Sequence, residues 1–133
     1  MRTHAHGAAR SGPLSLAYEA FQALHRPHYL LYARAHLGPA RATEAVHSAF
    51  AALLDAWPAV ISSGNPSTRA WELLTEQVHS RTGARVRATD LLREDLQTLA
   101  TLGYSAELTA TVTGLSLGSV RSLTRSGSPA LPS

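Results

Sequence analysis

The 133-residue chain contains no cysteine and no lysine, and both absences restrict what it can be. Without cysteine it can form no disulfide, thiolate zinc site or cysteine nucleophile, so its fold must depend on packing alone. We therefore expect an intracellular protein. All 12 basic residues are arginine, a bias typical of genomes with a high GC content.

Long apolar runs and runs of like charge are also missing. No stretch has the ~18 consecutive apolar residues of a transmembrane helix, and the first 12 residues lack the apolar core of a signal peptide. We expect a cytoplasmic protein that has no membrane partner. The net charge of +3 and the pI near 10.0 are compatible with an anionic partner such as nucleic acid. They do not identify one, because 9 acidic residues are interspersed.

Sustained period-two alternation is absent as well, so we predict an all-α protein. Its N-terminal part is expected to be a bundle of three to four helices, followed by a C-terminal helix-turn-helix domain. The predicted boundaries are a flexible lead over 1–13, the bundle over 14–82, a linker over 83–88, the helix-turn-helix domain over 89–126 and a flexible tail over 127–133.

Apolar spacing predicts the helices of the bundle. The first helix has an inward stripe at three- and four-residue intervals: Leu14, Ala17, Phe21, Leu24, His28, Leu31 and Ala35. We expect a kink or break in this helix before Pro27. The second is expected to end at Pro58 and to bury one face, namely Val46, Ala49, Phe50, Leu53, Leu54 and Trp57. The third should begin after Asn65-Pro66, end at Gly83 and bury Trp71, Leu74 and Val78.

The most specific pattern lies between Ser105 and Arg125. Two short helices that cross steeply need a small residue where they meet, a permissive residue at the turn and an apolar residue that returns between them. Ala110, Gly114 and Val120 have the spacing for these three structural positions. A preceding helix with Leu92, Leu96 and Leu99, ended by Gly103, would support the pair.

The second helix of this pair would present one face to the major groove of DNA. The residues on that face are Ser116, Leu117, Gly118, Arg121, Ser122 and Arg125. Arg121 is the candidate for a base contact, and Arg125 for a phosphate contact. An ordinary helical hairpin with solvated arginines is the alternative.

We find no pattern that predicts catalysis, a metal or another cofactor, or a small-molecule substrate. Gly114-Leu-Ser116-Leu-Gly118 fits the G-x-S-x-G nucleophile elbow, but no strand precedes it and no histidine follows it. The seven histidines, with His4-x-His6 and His25-x-x-His28 among them, do not form a ligand set of known geometry.

The order of these segments resembles the sigma factors of bacterial RNA polymerase, in particular the small extracytoplasmic-function type. Residues 18–38 are similar to the first helix of region two in that family. Residues 42–57 are similar to its clamp-binding helix, and residues 65–71 to the asparagine-proline and tryptophan that begin the helix near the downstream promoter element. The C-terminal pair of helices is similar to region four, which reads the upstream element.

The resemblance implies a transcription initiation protein that is not an enzyme. Its partners would be promoter DNA and core RNA polymerase, and the resemblance leaves an anti-sigma factor open as a further partner. The implied polymerase-binding residues are Glu44, His47, Phe50 and Leu54.

Four positions depart from the family pattern. The clamp-binding helix usually carries several acidic residues and a glutamine, whereas this chain has Thr43, His47 and Ser48 and keeps only Glu44. Val78 stands where asparagine is usual. Two alternatives therefore remain: a sigma-like DNA-binding regulator that does not bind polymerase, and a helical adaptor that binds only proteins.

Overall fold

The computed structural model describes residues 13–83 and 88–126, with the side chains of 14–83 and 91–124. These residues form six α-helices and no strand, so the all-α prediction is confirmed for this part of the chain. The helices are α1 (Pro13–His36), α2 (Pro39–Ser62), α3 (Pro66–Thr82), α4 (Ala88–Thr101), α5 (Ala106–Thr113) and α6 (Leu117–Ser126). Residues 1–12, 84–87 and 127–133, which hold most of the predicted lead, linker and tail, lie outside the described residues.

Only part of the predicted stripe of α1 faces the core, where Ala17 and Phe21 pack. Leu14, Leu24 and Leu31 are exposed. The inward face is aromatic instead, and it comprises Tyr18, Phe21, His25, Tyr29 and Tyr32. An aromatic ring with a polar atom can be buried when that atom finds a partner. The Tyr18 hydroxyl, for example, donates to the Phe50 carbonyl oxygen at 3.0 Å.

Two prolines lie within helices, so the alternative of a break at Pro27 is wrong, and so is the predicted end of the second helix at Pro58. Pro27 is inside the single helix α1, and α2 continues four residues beyond Pro58 to Ser62. Both prolines are exposed. Because each ring faces solvent, water can satisfy the carbonyl group that proline leaves without a donor, and packing on both sides holds the helix together.

Helices α2 and α3 provide most of the core. The predicted inward residues of α3 are buried, as are those of α2 except Leu54. Asn65 caps α3 by accepting a hydrogen bond from the Thr68 amide at 3.2 Å, and Gly83 ends the helix at φ 74°. Helix α2 is long and apolar enough to span a membrane, but its eight buried residues pack in the core, as in the core helix of a globular protein.

Helices α4 and α5 pack directly on the first three helices, and α6 packs on α4 and α5. Helix α5 lies against α3, and α4 lies against α1. Leu99 of α4 and Val112 of α5 are fully buried in the same apolar core as Trp71 and Leu74 of α3. Helices α1 to α5 therefore share one continuous core.

His25 is a buried histidine in this core. It is 3% exposed, its ring stacks on Phe21 with centroids 4.1 Å apart, and its Nδ1 has no hydrogen-bond partner among the described residues. Burial, and then the charge of nearby His28, lowers the pKa of His25 from 6.5 to about 4. The fold therefore requires the neutral ring.

This histidine should make the fold less stable in acid. Below pH 6.5 the unfolded chain binds a proton at His25 that the folded chain does not bind until about pH 4. We expect the free energy of unfolding to fall by roughly 1–3 kcal/mol between these pH values, after allowance for partial solvent screening. Urea titrations at several pH values measure this loss.

The His25→Phe variant should show a smaller loss over the same range. The difference between the variant and wild type gives the contribution of His25 to the pH dependence, because the contribution of the carboxylates is the same in both proteins. His47→Gln is the control, because His47 is exposed on α2. An unchanged pH dependence in His25→Phe would contradict the role given to His25.

Candidate nucleic-acid interface

Helices α5 and α6 are both capped by serine side chains. The Ser105 hydroxyl accepts a hydrogen bond from the Leu108 amide at 3.1 Å, which satisfies a free donor at the start of α5. The Ser116 hydroxyl accepts one from the Ser119 amide at the same distance, at the start of α6. These caps fix where each helix begins and leave a connection of three residues, 114–116, between them.

Gly114 ends α5 in the left-handed conformation, with φ 80°. Its amide donates to the Ala110 carbonyl at 2.9 Å. Glycine adopts this conformation without the strain that a Cβ atom adds, so the turn depends on it. Gly114 thus lies in the turn between the two helices, and Ala110 and Val120 are half-buried and buried, respectively.

A second constraint on Gly114 was not predicted. Its carbonyl oxygen accepts hydrogen bonds from Thr68 Oγ1 at 3.0 Å and from Asn65 Nδ2 at 3.3 Å, both at the start of α3. A Cβ atom added at Gly114 would lie 2.6 Å from Thr68 Oγ1 and 2.8 Å from the Ser67 carbonyl carbon. The connection between α5 and α6 is therefore fastened to the start of α3 and has no room for a side chain.

The side of α6 that faces away from the core carries most of the predicted groove-facing residues. Ser116, Gly118, Arg121 and Ser122 are exposed, and Leu117 is half-buried. On the opposite side, Val120 is 2% exposed. The backbone of Arg125 belongs to α6, but its side chain lies outside the described part of the chain. The exposed residues recur at helical spacing, so together they form one accessible face.

Arg121 forms an ion pair across the two helices. Its Nη2 lies 3.2 Å from Glu107 Oε2, and both side chains are more than half exposed. Such an exposed pair contributes little to stability and is screened by salt. A phosphate or a guanine edge can therefore displace Glu107 from the guanidinium at small cost.

A buried polar cluster joins α1, α3 and α4, and the sequence analysis missed it. The Tyr32 hydroxyl donates to Asp95 Oδ1 at 2.5 Å, and His79 Nε2 lies 2.9 Å from the same oxygen. Asp95 is 3% exposed and Tyr32 is fully buried. The ring of His36 packs edge-on against Tyr32 and His79.

Desolvation shifts the pKa values of this cluster. Burial raises the pKa of the Asp95 carboxyl, while the hydrogen bond from Tyr32 and the neighbouring His79 counter part of that rise. Burial raises the pKa of Tyr32, and so does the nearby Asp95 charge. Burial also lowers the pKa of His36. Hydrogen bonds within the cluster replace the solvation that its members lose.

A shallow groove of about 650 Å³ lies beside this cluster, between α3, α4 and the connection after α5. Its walls include Trp71, Glu72, Glu76, His79 and Asp95. Among the described side chains, no three histidine or carboxylate groups are placed to hold a metal ion. His4 and His6 lie outside the described residues.

Three of the four predicted polymerase-binding residues are exposed on α2, and the fourth is buried. Glu44 and His47 are exposed on α2, and Leu54 is 36% exposed two turns further on. Phe50 is 3% exposed and stacks on Tyr29 at 5.4 Å. Its inclusion in a surface is therefore wrong, because its ring is packed in the core. The departures at Thr43 and His47 are exposed, whereas Val78 is fully buried.

Comparisons with known proteins add no family to this description. No protein-family model, curated protein or solved structure matches the chain. Function must therefore be argued from the side chains themselves, and the exposed face of α6 is the surface with the clearest chemistry.

Proposed function

We propose that this chain binds duplex DNA through α6 and acts in the regulation of transcription. The observation that carries the proposal is the pairing of a fixed connection at Gly114 with an exposed, polar face on α6. A helix inserted into the major groove must be held rigidly from behind while its outer face meets base edges. Val120 supplies the support behind α6, and Arg121 supplies a donor pair suited to guanine.

The fastening of Gly114 to α3 favours a regulator that does not require polymerase. In a sigma factor the parts that resemble α3 and α5–α6 read two separate promoter elements. Here, hydrogen bonds from Asn65 and Thr68 hold the two parts against each other. A single DNA site read by α6 fits this arrangement without any opening of the core.

A sigma-like initiation factor is the second candidate. The exposed side of α2 favours it, because Glu44, His47 and Leu54 are accessible there. This form would bind core RNA polymerase through that side and would have to release α5–α6 from α3 to reach two promoter elements. Anti-sigma binding would be a further property of this form.

Selection from a random duplex library with the full chain tests DNA binding. Enrichment of a defined sequence, with an affinity that falls as salt rises, is the expected result. A chain that enriches nothing and does not bind duplex DNA at low salt would be the protein-only adaptor. Co-elution with core polymerase on a sizing column, with promoter-dependent transcription, would favour the sigma-like form over the regulator.

Arg121 should contribute specificity. Arg121→Ala is expected to cost roughly 1–3 kcal/mol on the selected sequence and much less on unrelated DNA, because a base contact is lost. Arg125→Ala should weaken binding to all sequences alike and reduce the salt dependence, because a phosphate contact is lost. Fluorescence anisotropy with selected and scrambled duplexes measures both effects.

Two control variants make this test sharper. Arg41→Ala removes one arginine from α2, where the side chain donates to the Arg81 carbonyl, and should change affinity less than about twofold if α6 is the interface. Glu107→Ala frees Arg121 from its ion pair and should strengthen binding modestly. Equal losses from Arg121→Ala on every duplex would show that Arg121 does not read bases.

A further inference from the structure

The outward side of α1 is apolar along most of its length. Six residues recur at intervals of three or four on the side opposite the buried aromatic face, and all are exposed. Leu24 is 62% exposed and Leu31 is 46% exposed. We call this set the outer stripe: Leu16, Ala20, Leu24, Pro27, Leu31 and Ala35.

We propose that the outer stripe binds the outer stripe of a second copy of this chain, with the two α1 helices antiparallel. The proposal does not depend on DNA binding. Single exposed apolar residues are common on protein surfaces, but a contiguous apolar stripe of this length usually marks an interaction site.

The first argument is the symmetry of the stripe about Pro27. Leu24 and Leu31 lie about one turn on either side of Pro27, and Ala20 and Ala35 lie about two turns away. A twofold axis near the two Pro27 residues would therefore place Leu24 of each copy beside Leu31 of the other copy, and Ala20 beside Ala35. A twofold interface requires such self-complementarity, because the same patch must serve on both copies.

The second argument is charge. Glu19 and Arg34 stand near opposite ends of the outer stripe, eight residues before and seven residues after Pro27. Both are exposed, and neither has an ion-pair partner among the described residues. In an antiparallel pair each Glu19 lies beside the partner's Arg34, so two opposite-charge contacts form. A parallel pair would place like charges together, which selects the antiparallel arrangement.

The interface would be modest in area because it involves one helix from each copy. We therefore expect a reversible dimer at concentrations of about 10–100 µM. Sedimentation equilibrium of the full chain over a concentration series measures the dimer constant. The expected result is a monomer–dimer equilibrium without larger species, because the twofold contact is closed.

Substitutions locate the interface. Leu24→Glu/Leu31→Glu should weaken dimerisation at least tenfold, because charge is placed in the middle of the stripe. Leu102→Glu is the matched control: Leu102 is 39% exposed at the end of α4, and the substitution should leave the dimer constant within about twofold. Circular dichroism and a thermal melt of each variant establish that the monomer remains folded.

Charge reversal tests the antiparallel register. Glu19→Arg alone and Arg34→Glu alone should each weaken the dimer, because each places like charges together at both ends. The double variant Glu19→Arg/Arg34→Glu should recover most of the wild-type dimer constant, since opposite charges face each other again. A structural effect of either residue would not be reversed in this way.

Three results would overturn the proposal. The first is a chain that stays monomeric up to about 1 mM, far above the expected range. The second is a dimer that Leu24→Glu/Leu31→Glu leaves unchanged, which would place the interface elsewhere. The third is a monomer whose α1 binds vesicles of zwitterionic and anionic lipid, because the outer stripe would then face a membrane surface.

Discussion

Gly114→Val is expected to destabilise the fold by about 2–6 kcal/mol and to abolish DNA binding. Valine at φ 80° is strained by its Cβ atom, which costs about 1–3 kcal/mol. The same Cβ would overlap the Thr68 amide nitrogen and the Ser67 carbonyl carbon, which are backbone atoms and cannot rotate away. Overpacking of this kind costs about 1–3 kcal/mol more.

Two other glycines separate the conformational cost from the steric cost. Gly103 has φ 97°, and an added Cβ would meet nothing within 4 Å. Gly103→Ala therefore reports strain alone, whereas Gly114→Ala reports strain and overlap. Gly118→Ala, in open space within α6, should be neutral or stabilise by up to about 1 kcal/mol.

Chemical denaturation measures all of these changes in stability. We expect Gly114→Ala to cost clearly more than Gly103→Ala. Equal losses would mean that α3 moves away freely from the connection. Wild-type stability and DNA affinity in Gly114→Val would show that the turn does not hold α6 as described.

Asp95→Ala is expected to cost about 2–4 kcal/mol of unfolding free energy. The Asp95 carboxyl accepts from the buried Tyr32 hydroxyl and lies 2.9 Å from His79 Nε2. Removal of the carboxyl takes one hydrogen-bond partner from the Tyr32 hydroxyl and one from His79, in a site that water reaches poorly. The largest part of the cost is that these buried polar groups then lack both water and a protein partner.

The neighbouring residue provides a control for this change. Glu94 is exposed on the same helix, so Glu94→Ala should stay within about 0.5 kcal/mol of wild type. Asp95→Asn keeps an oxygen that can accept from Tyr32 and should lose less than Asp95→Ala. Together the three variants distinguish the loss of the acceptor from changes in helix propensity.

A double-mutant cycle with Tyr32→Phe measures the coupling within the cluster. Tyr32→Phe should cost less in the Asp95→Ala background than in wild type, with a coupling energy of about 0.5–3 kcal/mol. Additive losses would mean that the two residues stabilise the fold independently, which contradicts a shared hydrogen bond at 2.5 Å.

The sequence was sufficient to predict the helices whose apolar residues are dense and local. Val46, Phe50 and Trp57 of α2, and Leu74 of α3, lie at helical intervals and are buried as expected. The capping signals at the start of α3 and at Gly114 were equally local, because each cap involves residues fewer than five positions apart. These features require no knowledge of the tertiary arrangement.

The leucine stripe predicts only part of the buried face of α1, since Ala17 and Phe21 pack against the core and the leucines do not. Tyr29, Tyr32 and His25 also recur at helical spacing, so the sequence contained two competing stripes. Partners on other helices decide between them. The Tyr32 hydroxyl, for example, finds its acceptor 63 residues away in Asp95. A search of one helix alone cannot reveal this.

The position of Asp95 in the sequence indicates that it is buried. It lies three residues after Leu92 and four residues before Leu99, so a carboxylate falls on the predicted inward side of α4. A charged residue at such a position is expected to have a buried partner. The identity of that partner, and the fastening of Gly114 to Thr68, depend on contacts across 46 residues or more and become visible only in the fold.

The continuous core has a consequence for synthesis on the ribosome. Val112 and Leu99 complete a core whose other members precede residue 79, so the first three helices emerge with one apolar side uncovered. Translation from Gly83 to Thr113 takes a few seconds at about 5–20 residues per second. During that interval the side of α3 that α5 later covers stays open to chaperones or to aggregation. Folding is complete only when the last helices arrive.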